Sequence, residues 1–502
     1  MQKAKSFTLR RAGVLVLAGV AGACGSTRSA AQPHELVICA SSPAELLRLD
    51  GTAAGLSIDA FDLGDAISVR YALESESDPS RFRYPETFSI VDNCGGEPLR
   101  LADSFGLPSG AANVGGEVAL CAGDGYTGGD GGVWELLDDG TRGEDLGLGT
   151  KCNTANPGPG IREPSFGIVY NESVATQHLP NGTSRVISTG DGFELFTTST
   201  GPVVFSYGET PQIHPPDGGP AIELGVPEPI YAAYEPPGGT SASGWVLAMP
   251  RARANGGSTQ TDFPPVPGYA VDLLTGAWFV TPDVSVEFPD MRSEFSIREG
   301  LMVTDDGYRP MLSRVGWERH LLLSPTVGAF AVLDADRLFV IENDGLVAGA
   351  EELRVLAIPR ELPADDVGFE PEVLWSRPRG ADEFVFRGAG FGWNDIALAE
   401  SSSSLWAYPL DGRPAFPFAP ASTYTYVGTS TITGLGVPPD SGDDKLWLFE
   451  RSVDGALEIV AEDLASGQDD FMGHPWTPEL GRILYAVRDG NGVSIRQHPL
   501  AP

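Results

Sequence analysis

Short apolar runs, each bounded by a turn dipeptide, recur along almost the whole chain, and sustained 3.6-residue periodicity is nearly absent. Runs of this length and composition read as strands, among them Glu35–Ala40, Phe193–Thr197, Trp245–Met249, Arg337–Ile341 and Lys445–Phe449. The turns between them repeat Asp-Gly: Asp50-Gly51, Asp139-Gly140, Asp344-Gly345, Asp411-Gly412, Asp454-Gly455 and Asp489-Gly490. Such dipeptides predict tight hairpins, because both residues tolerate positive φ. Gly (63) and Pro (41) are too abundant for a helical protein, while an apolar content of 41% suffices for a packed core. The chain is therefore expected to be all-β.

The strands also repeat at a period. Leu405, Leu446 and Leu484 hold matching places in SLWAY, KLWLF and ILYAV, with an Asp-Gly turn a few residues after each. Their spacing is 41 and then 38 residues, and a strand–turn–strand unit at a period near 40 is the sequence mark of a β-propeller. An echo lies near the N-terminus, where Val37–Ala40 leads to Leu47–Thr52 much as Ala119–Ala122 leads to Leu136–Thr141. At about 55–65 residues per blade, loops included, seven or eight four-stranded blades are expected over 35–502, as one closed ring. Glu35–Ala40 is the expected closing strand, and 102–132 and 142–164 read as long Gly/Pro-rich loops.

The segment His474–Tyr485 (HPWTPELGRILY), followed by the hairpin Arg488–Gly492, resembles the WD40-like repeat of TolB-type β-propellers. Thr477-Pro478 matches that family's turn, whereas Glu479-Leu480-Gly481 replaces its Asp-Gly with one extra residue. Ala270–Trp278 (AVDLLTGAW) is similar in part to a quinoprotein propeller repeat. Both resemblances imply the propeller fold and leave the activity open, since propellers host many functions.

Lys3, Lys5, Arg10 and Arg11 precede an apolar run from Ala12 to Ala23, the layout of a bacterial export signal over 1–23. The run is shorter than the ~20 residues a membrane span needs. Ala21-Gly22-Ala23-Cys24 resembles a lipobox, which implies diacylation of Cys24 and a tether over 24–34; the alternative is an ordinary A-x-A cleavage site with Cys24 incidental. Arg10-Arg11 lacks the Phe-Leu-Lys of a twin-arginine signal. With Cys24 set aside, Cys39, Cys94, Cys121 and Cys152 remain, an even number suited to an oxidising compartment. Three connectivities are open. Pairing of sequence neighbours, Cys39–Cys94 and Cys121–Cys152, is favoured. The expected location is the outer membrane, otherwise the periplasm or the exterior.

The formal net charge is −35, and near −39 without the signal. Such a surface excludes nucleic acid as a partner and disfavours anionic lipid, so membrane contact is expected only through the lipid anchor. No H-E-x-x-H, P-loop, G-x-S-x-G or C-x-x-C motif occurs. His34, His178, His214, His320, His474 and His498 are scattered, without metal-ligand spacing. Trp134, Trp406 and Trp447 lie on strand patterns and read as blade core. Asp440–Asp444 and Asp124–Tyr126 are weak candidates for Ca²⁺ that miss the EF-hand pattern; no cofactor is otherwise expected. Asn171-Glu172-Ser173 and Asn181-Gly182-Thr183 match the N-glycosylation pattern.

Three functions follow. The first is a monomeric, non-catalytic scaffold binding an envelope protein or polymer. The second is a secreted propeller hydrolase or lyase acting on a polysaccharide, which requires two acids converging in the channel. The third is a quinoprotein-like redox propeller. No catalytic residue stands out.

Overall fold

A computed structural model describes residue 32 and most of 44–500. The segments 1–31, 33–43, 50–57, 72–86, 102–107, 123–131, 149–159, 251–265, 285–294, 344–350, 364–369, 437–445, 465–475 and 501–502, with several shorter stretches, lie outside the described residues. The strands run in consecutive four-stranded antiparallel meanders. Units 1 to 9 span 58–100, 108–145, 160–188, 193–223, 230–284, 295–322, 327–378, 388–420 and 422–464. Unit 10 spans 476–499 and takes its last strand, Glu45–Leu49, from the other end of the chain.

Apolar clusters join each unit to the next. Leu338 and Val340 of the strand Arg337–Glu342 pack with Leu301 and Val303 of unit 6. Phe339 and Ile341 of the same strand pack with Ala397 and Ala399 of unit 8. A middle strand is thus buried on both faces, which is why its sequence is a continuous apolar run instead of an alternation. One such cluster lies at every junction, and the last joins Leu484 and Ile495 of unit 10 to Ile67 and Val69 of unit 1. The units therefore close into a ring, and the chain is a β-propeller. Fully burying one of the core phenylalanines, such as Phe205 or Phe330, contributes about 2 kcal/mol, so each junction is substantial.

Ten units form among the described residues, against an expectation of seven or eight. Consecutive units begin 32 to 65 residues apart, because the compact ones use very short turns. The segments read as loops over 102–132 and 142–164 contain strands Pro108–Val114, Glu117–Ala122, Arg142–Asp145 and Gly160–Glu163. Their glycines and small residues masked the strand pattern. The strand that closes the ring is Glu45–Leu49; Glu35–Ala40 lies outside the described residues. Leu405 and Leu446 both stand on third strands, but Leu484 stands on the second strand of unit 10. The 41-residue spacing is therefore a unit repeat and the 38-residue spacing is not.

The Asp-Gly turns divide their labour. At 137–141, Gly140 alone takes positive φ (77°) and donates its N–H to Leu137 O (2.8 Å), while Leu137 N–H bonds Thr141 O (2.9 Å). Asp139 accepts the Thr141 N–H through Oδ1 at 3.0 Å. This is a three-residue hairpin loop in which only Gly needs left-handed backbone. Asn181-Gly182-Thr183 repeats it, with Gly182 N–H to Leu179 O and Thr183 N–H to Asn181 Oδ1, both at 2.9 Å.

Polar latches supplement the clusters. Arg482, nearly buried, donates to Gln497 Oε1 and to Gly64 O, each at 2.8 Å, and the latter bond crosses the seam between unit 10 and unit 1. Arg314 of unit 6 reaches Asp336 of unit 7 at 2.9 Å, and Trp393 Nε1 of unit 8 donates to Gly428 O of unit 9 at 2.9 Å.

Candidate functional site

First strands face the centre. Those of units 6, 7 and 8 touch one another, and those of units 7 and 8 pair in parallel through Ala329–Val332 and Gly388–Phe391. A ring this large needs filling at the centre. The connection between the first two strands of unit 5 supplies a five-residue helix, Gly239–Ser243, which touches the first strands of units 4, 6 and 9. Pro236-Pro237 ends the preceding strand. Gly238 and Gly244 cap the helix in left-handed conformations, and Gly244 N–H closes it on Thr240 O. A Cβ on Gly238 would lie 2.8 Å from the Phe391 ring, so the helix is seated as closely as a glycine permits.

Beside the helix stand two carboxylic acids and two phenols. The buried Thr240 hydroxyl lies 2.6 Å from Thr197 O of unit 4 and 3.0 Å from Glu235 Oε1. The Tyr207 phenol donates to Glu194 Oε2. Glu194 is open to solvent, yet enough protein surrounds it that burial pushes its carboxyl pKa up. The Tyr207 bond opposes that shift and Glu235 adds to it. Burial first, and the Glu194 charge second, push the Tyr207 and Tyr234 phenols up. Tyr207 is held as a hydrogen-bond donor to Glu194.

A second polar group joins units 3 and 4. His214, buried, places Nε2 3.1 Å from Ile187 O and 3.3 Å from Ser206 Oγ. Burial, helped by the neighbouring Arg185, brings its pKa down to about 4, while the Ile187 carbonyl opposes the shift. Arg185 itself donates to Pro215 O (2.9 Å) and Gly219 O (3.2 Å). This constellation is a latch in which His214 is buried and Arg185 partly exposed.

The residues singled out by sequence scatter. His178 meets Ser184 Oγ at 3.0 Å, His320 meets Ser313 Oγ at 3.0 Å, and His498 meets Glu450 at 2.9 Å, each in a different unit. Trp134 carries Arg142 over its ring, and Trp406 stacks on Phe384; both pack partly buried against blade clusters. Cys121 is fully buried on Glu117–Ala122, Cys94 follows Thr87–Asp92, and neither is a free thiol. Cys24, Cys39, Cys152, His34, His474, Asp124–Tyr126 and Asp440–Asp444 lie outside the described residues. Among the described residues no group of three or more His, Cys, Asp or Glu could hold a metal ion. Glu194, Tyr207 and Glu235 have no motif around them. The available signal was Pro236-Pro237-Gly238-Gly239, an interruption between two strand patterns.

No family model and no curated protein matches the chain. Among solved structures it is similar to the tricorn protease, at 12% identity and a TM-score of 0.31, over 82% of this chain and 44% of that one. It is similar to TolB from Acinetobacter baumannii at 10% identity and 0.24, over 89% and 80%. It is also similar to the Myceliophteria thermophila Cps50 (Swd1) β-propeller domain at 11% and 0.28, over 60% and 95%. The chain thus spans under half the length of the tricorn protease. At these scores the overlaps carry no weight beside the sheet topology and the closed circle of core clusters.

Proposed function

We propose that this protein is an exported, non-catalytic scaffold that binds a protein or polymer of the bacterial cell envelope through its outer rim. One observation carries the reading. Of the eight large apolar side chains exposed among the described residues, five (Val186, Val280, Leu322, Val373 and Leu374) lie on fourth strands, the outermost of their units, while Val174 lies on a third strand and Leu274 and Val315 lie in turns. Val280, Leu322 and the Val373–Leu374 pair belong to the consecutive units 5, 6 and 7, and so follow one arc of rim. Apolar side chains gathered in this way favour a contact surface over a solvated wall.

Export accompanies this proposal: a signal over 1–23, acylation at Cys24, a tether over 24–34, the propeller domain over 35–502, and Cys39–Cys94 and Cys121–Cys152 as the disulfides. Photo-crosslinking in the native envelope tests the function. A crosslinking amino acid at Leu322 should capture a discrete partner, and one at Glu194 should not. Capture at Glu194 alone, or release of reducing sugar from envelope polysaccharide that is lost in Glu194→Gln, would replace the scaffold with the hydrolase.

A further inference from the structure

The rim edges are not alike. Several fourth strands are blunted to two residues: Leu99–Arg100, Ile222–Glu223 and Leu321–Leu322. Short edge strands are a common guard against unwanted pairing. Trp278–Val284 of unit 5 is long but leans on unit 6, and Leu457–Leu464 of unit 9 is met by unit 10. Glu372–Pro378 of unit 7 is different. It is seven residues long, and among the described residues its backbone ladder runs only to Glu352–Ala357 and no other strand makes an extended contact with it.

A bulge in that ladder sets two residues, Val373 and Leu374, against Leu356 alone. Successive side chains of a regular strand point to opposite faces. Here both consecutive apolar side chains are largely in solvent, at 46% and 50% exposure. Trp375, half-buried, anchors the strand against the core shared by units 7 and 8. Among the described residues, the outer edge therefore presents both a row of backbone donors and acceptors that no further strand pairs and a projecting apolar pair.

Charge indicates what would cover it. Glu370 and Glu372 are exposed at the start of the strand. The arginines at its other end are already neutralised. Arg377 forms a two-pronged pair with Glu383 at 2.8 and 2.7 Å, and Arg379 meets Glu351 at 3.1 Å. The free charge along this edge is negative, on a chain of net charge −35. We propose that the outer edge of Glu372–Pro378 is a docking strand for an extended polypeptide segment that is basic and apolar, added as a fifth strand to unit 7. The proposal rests on the rim reading above and names the partner's chemistry. A second copy of this chain would bring a like-charged edge, which opposes self-pairing.

The test uses the whole chain and a fluorescein-labelled peptide of about ten residues alternating valine and lysine. Anisotropy should report saturable binding at low salt. The same peptide with glutamate in place of lysine should bind at least about tenfold more weakly. Leu374→Lys should weaken the valine–lysine peptide by about tenfold or more, and Val373→Ser should weaken it measurably. Both sites are half in solvent, so unchanged circular dichroism melts should separate lost binding from lost folding. Equal binding of both peptides, or binding indifferent to Leu374→Lys, would overturn the proposal. So would concentration-dependent dimers in sedimentation velocity that vanish in Leu374→Lys, which would assign the edge to a second copy. If crosslinking at Leu322 fails while this binding persists, the rim scaffold falls and the docking strand stands.

Discussion

At the scale of single residues, burial decides which polar groups have work to do. His214 can keep its place between units 3 and 4 only as neutral imidazole, since a charge there would meet low dielectric and Arg185. Its folded pKa, about 4, lies below its ordinary 6.5. The unfolded chain therefore binds the proton first. This group's stabilisation is complete above pH ~6.5 and is lost as pH falls toward ~4, a change of about 3 kcal/mol at most. Urea titrations at steps between pH 7 and 4 should show that decline, and His214→Gln should flatten it. A decline of the same steepness in His214→Gln would assign the effect to other groups. Glu383 has the opposite design. It is buried but accepts two bonds from Arg377 and further N–H bonds from Gly380 (2.8 Å) and Ala415 (2.6 Å). Those bonds outweigh its burial and keep its carboxyl below the usual range.

At the scale of elements, the hairpin turns set the length of each unit. Gly412 and Gly276 both adopt positive φ, at 89° and 72°. A Cβ on Gly412 would meet nothing, whereas one on Gly276 would lie 2.5 Å from Ile222 Cγ2 of unit 4. Gly412→Ala should cost about 1 kcal/mol, the backbone strain alone. Gly276→Ala should cost about 2 kcal/mol or more, because the clash between units adds to the strain. Equal losses in denaturant unfolding would mean that Ile222 yields freely and that the junction is looser than its packing indicates. The Asp before Gly412 was legible as a turn residue. Its role was not, because an Asx side chain can either adopt positive φ or cap the turn from ordinary backbone, and only the fold separates these.

At the scale of the molecule, closure joins the two ends of the chain. Leu46, Leu47 and Leu49 are buried against units 1 and 10, and each contributes about 2 kcal/mol of apolar burial. Deleting residues 1–49 should leave unit 10 with an open edge and Arg482 should lose its seam. The truncated protein should melt with lower cooperativity and be cut by protease in units 1 and 10 first. Arg482→Ala should do the same more mildly, as the strand pairing survives. A truncated protein with unchanged melting and protease resistance would remove closure as a source of stability.

The all-β class and the strands Trp245–Pro250 and Arg337–Glu342 were legible in the sequence, because a strand buried on both faces must be a continuous apolar run and its turns must use Gly. The number of units was not, since unit length depends on turns whose compactness is set by contacts between units. Nor was the closing strand. Glu35–Ala40 and Glu45–Leu49 are both apolar, and pairing with Gly492–Pro499 is a long-range choice made by the cluster around Ile67, Leu484 and Ile495. The acids beside the central helix lie on one strand and in one loop, and nothing in the sequence marks the pair Val373–Leu374 as exposed. Only the bulge and the rim position of that strand turn it outward, because exposure is a property of what packs around a residue and not of the residue itself.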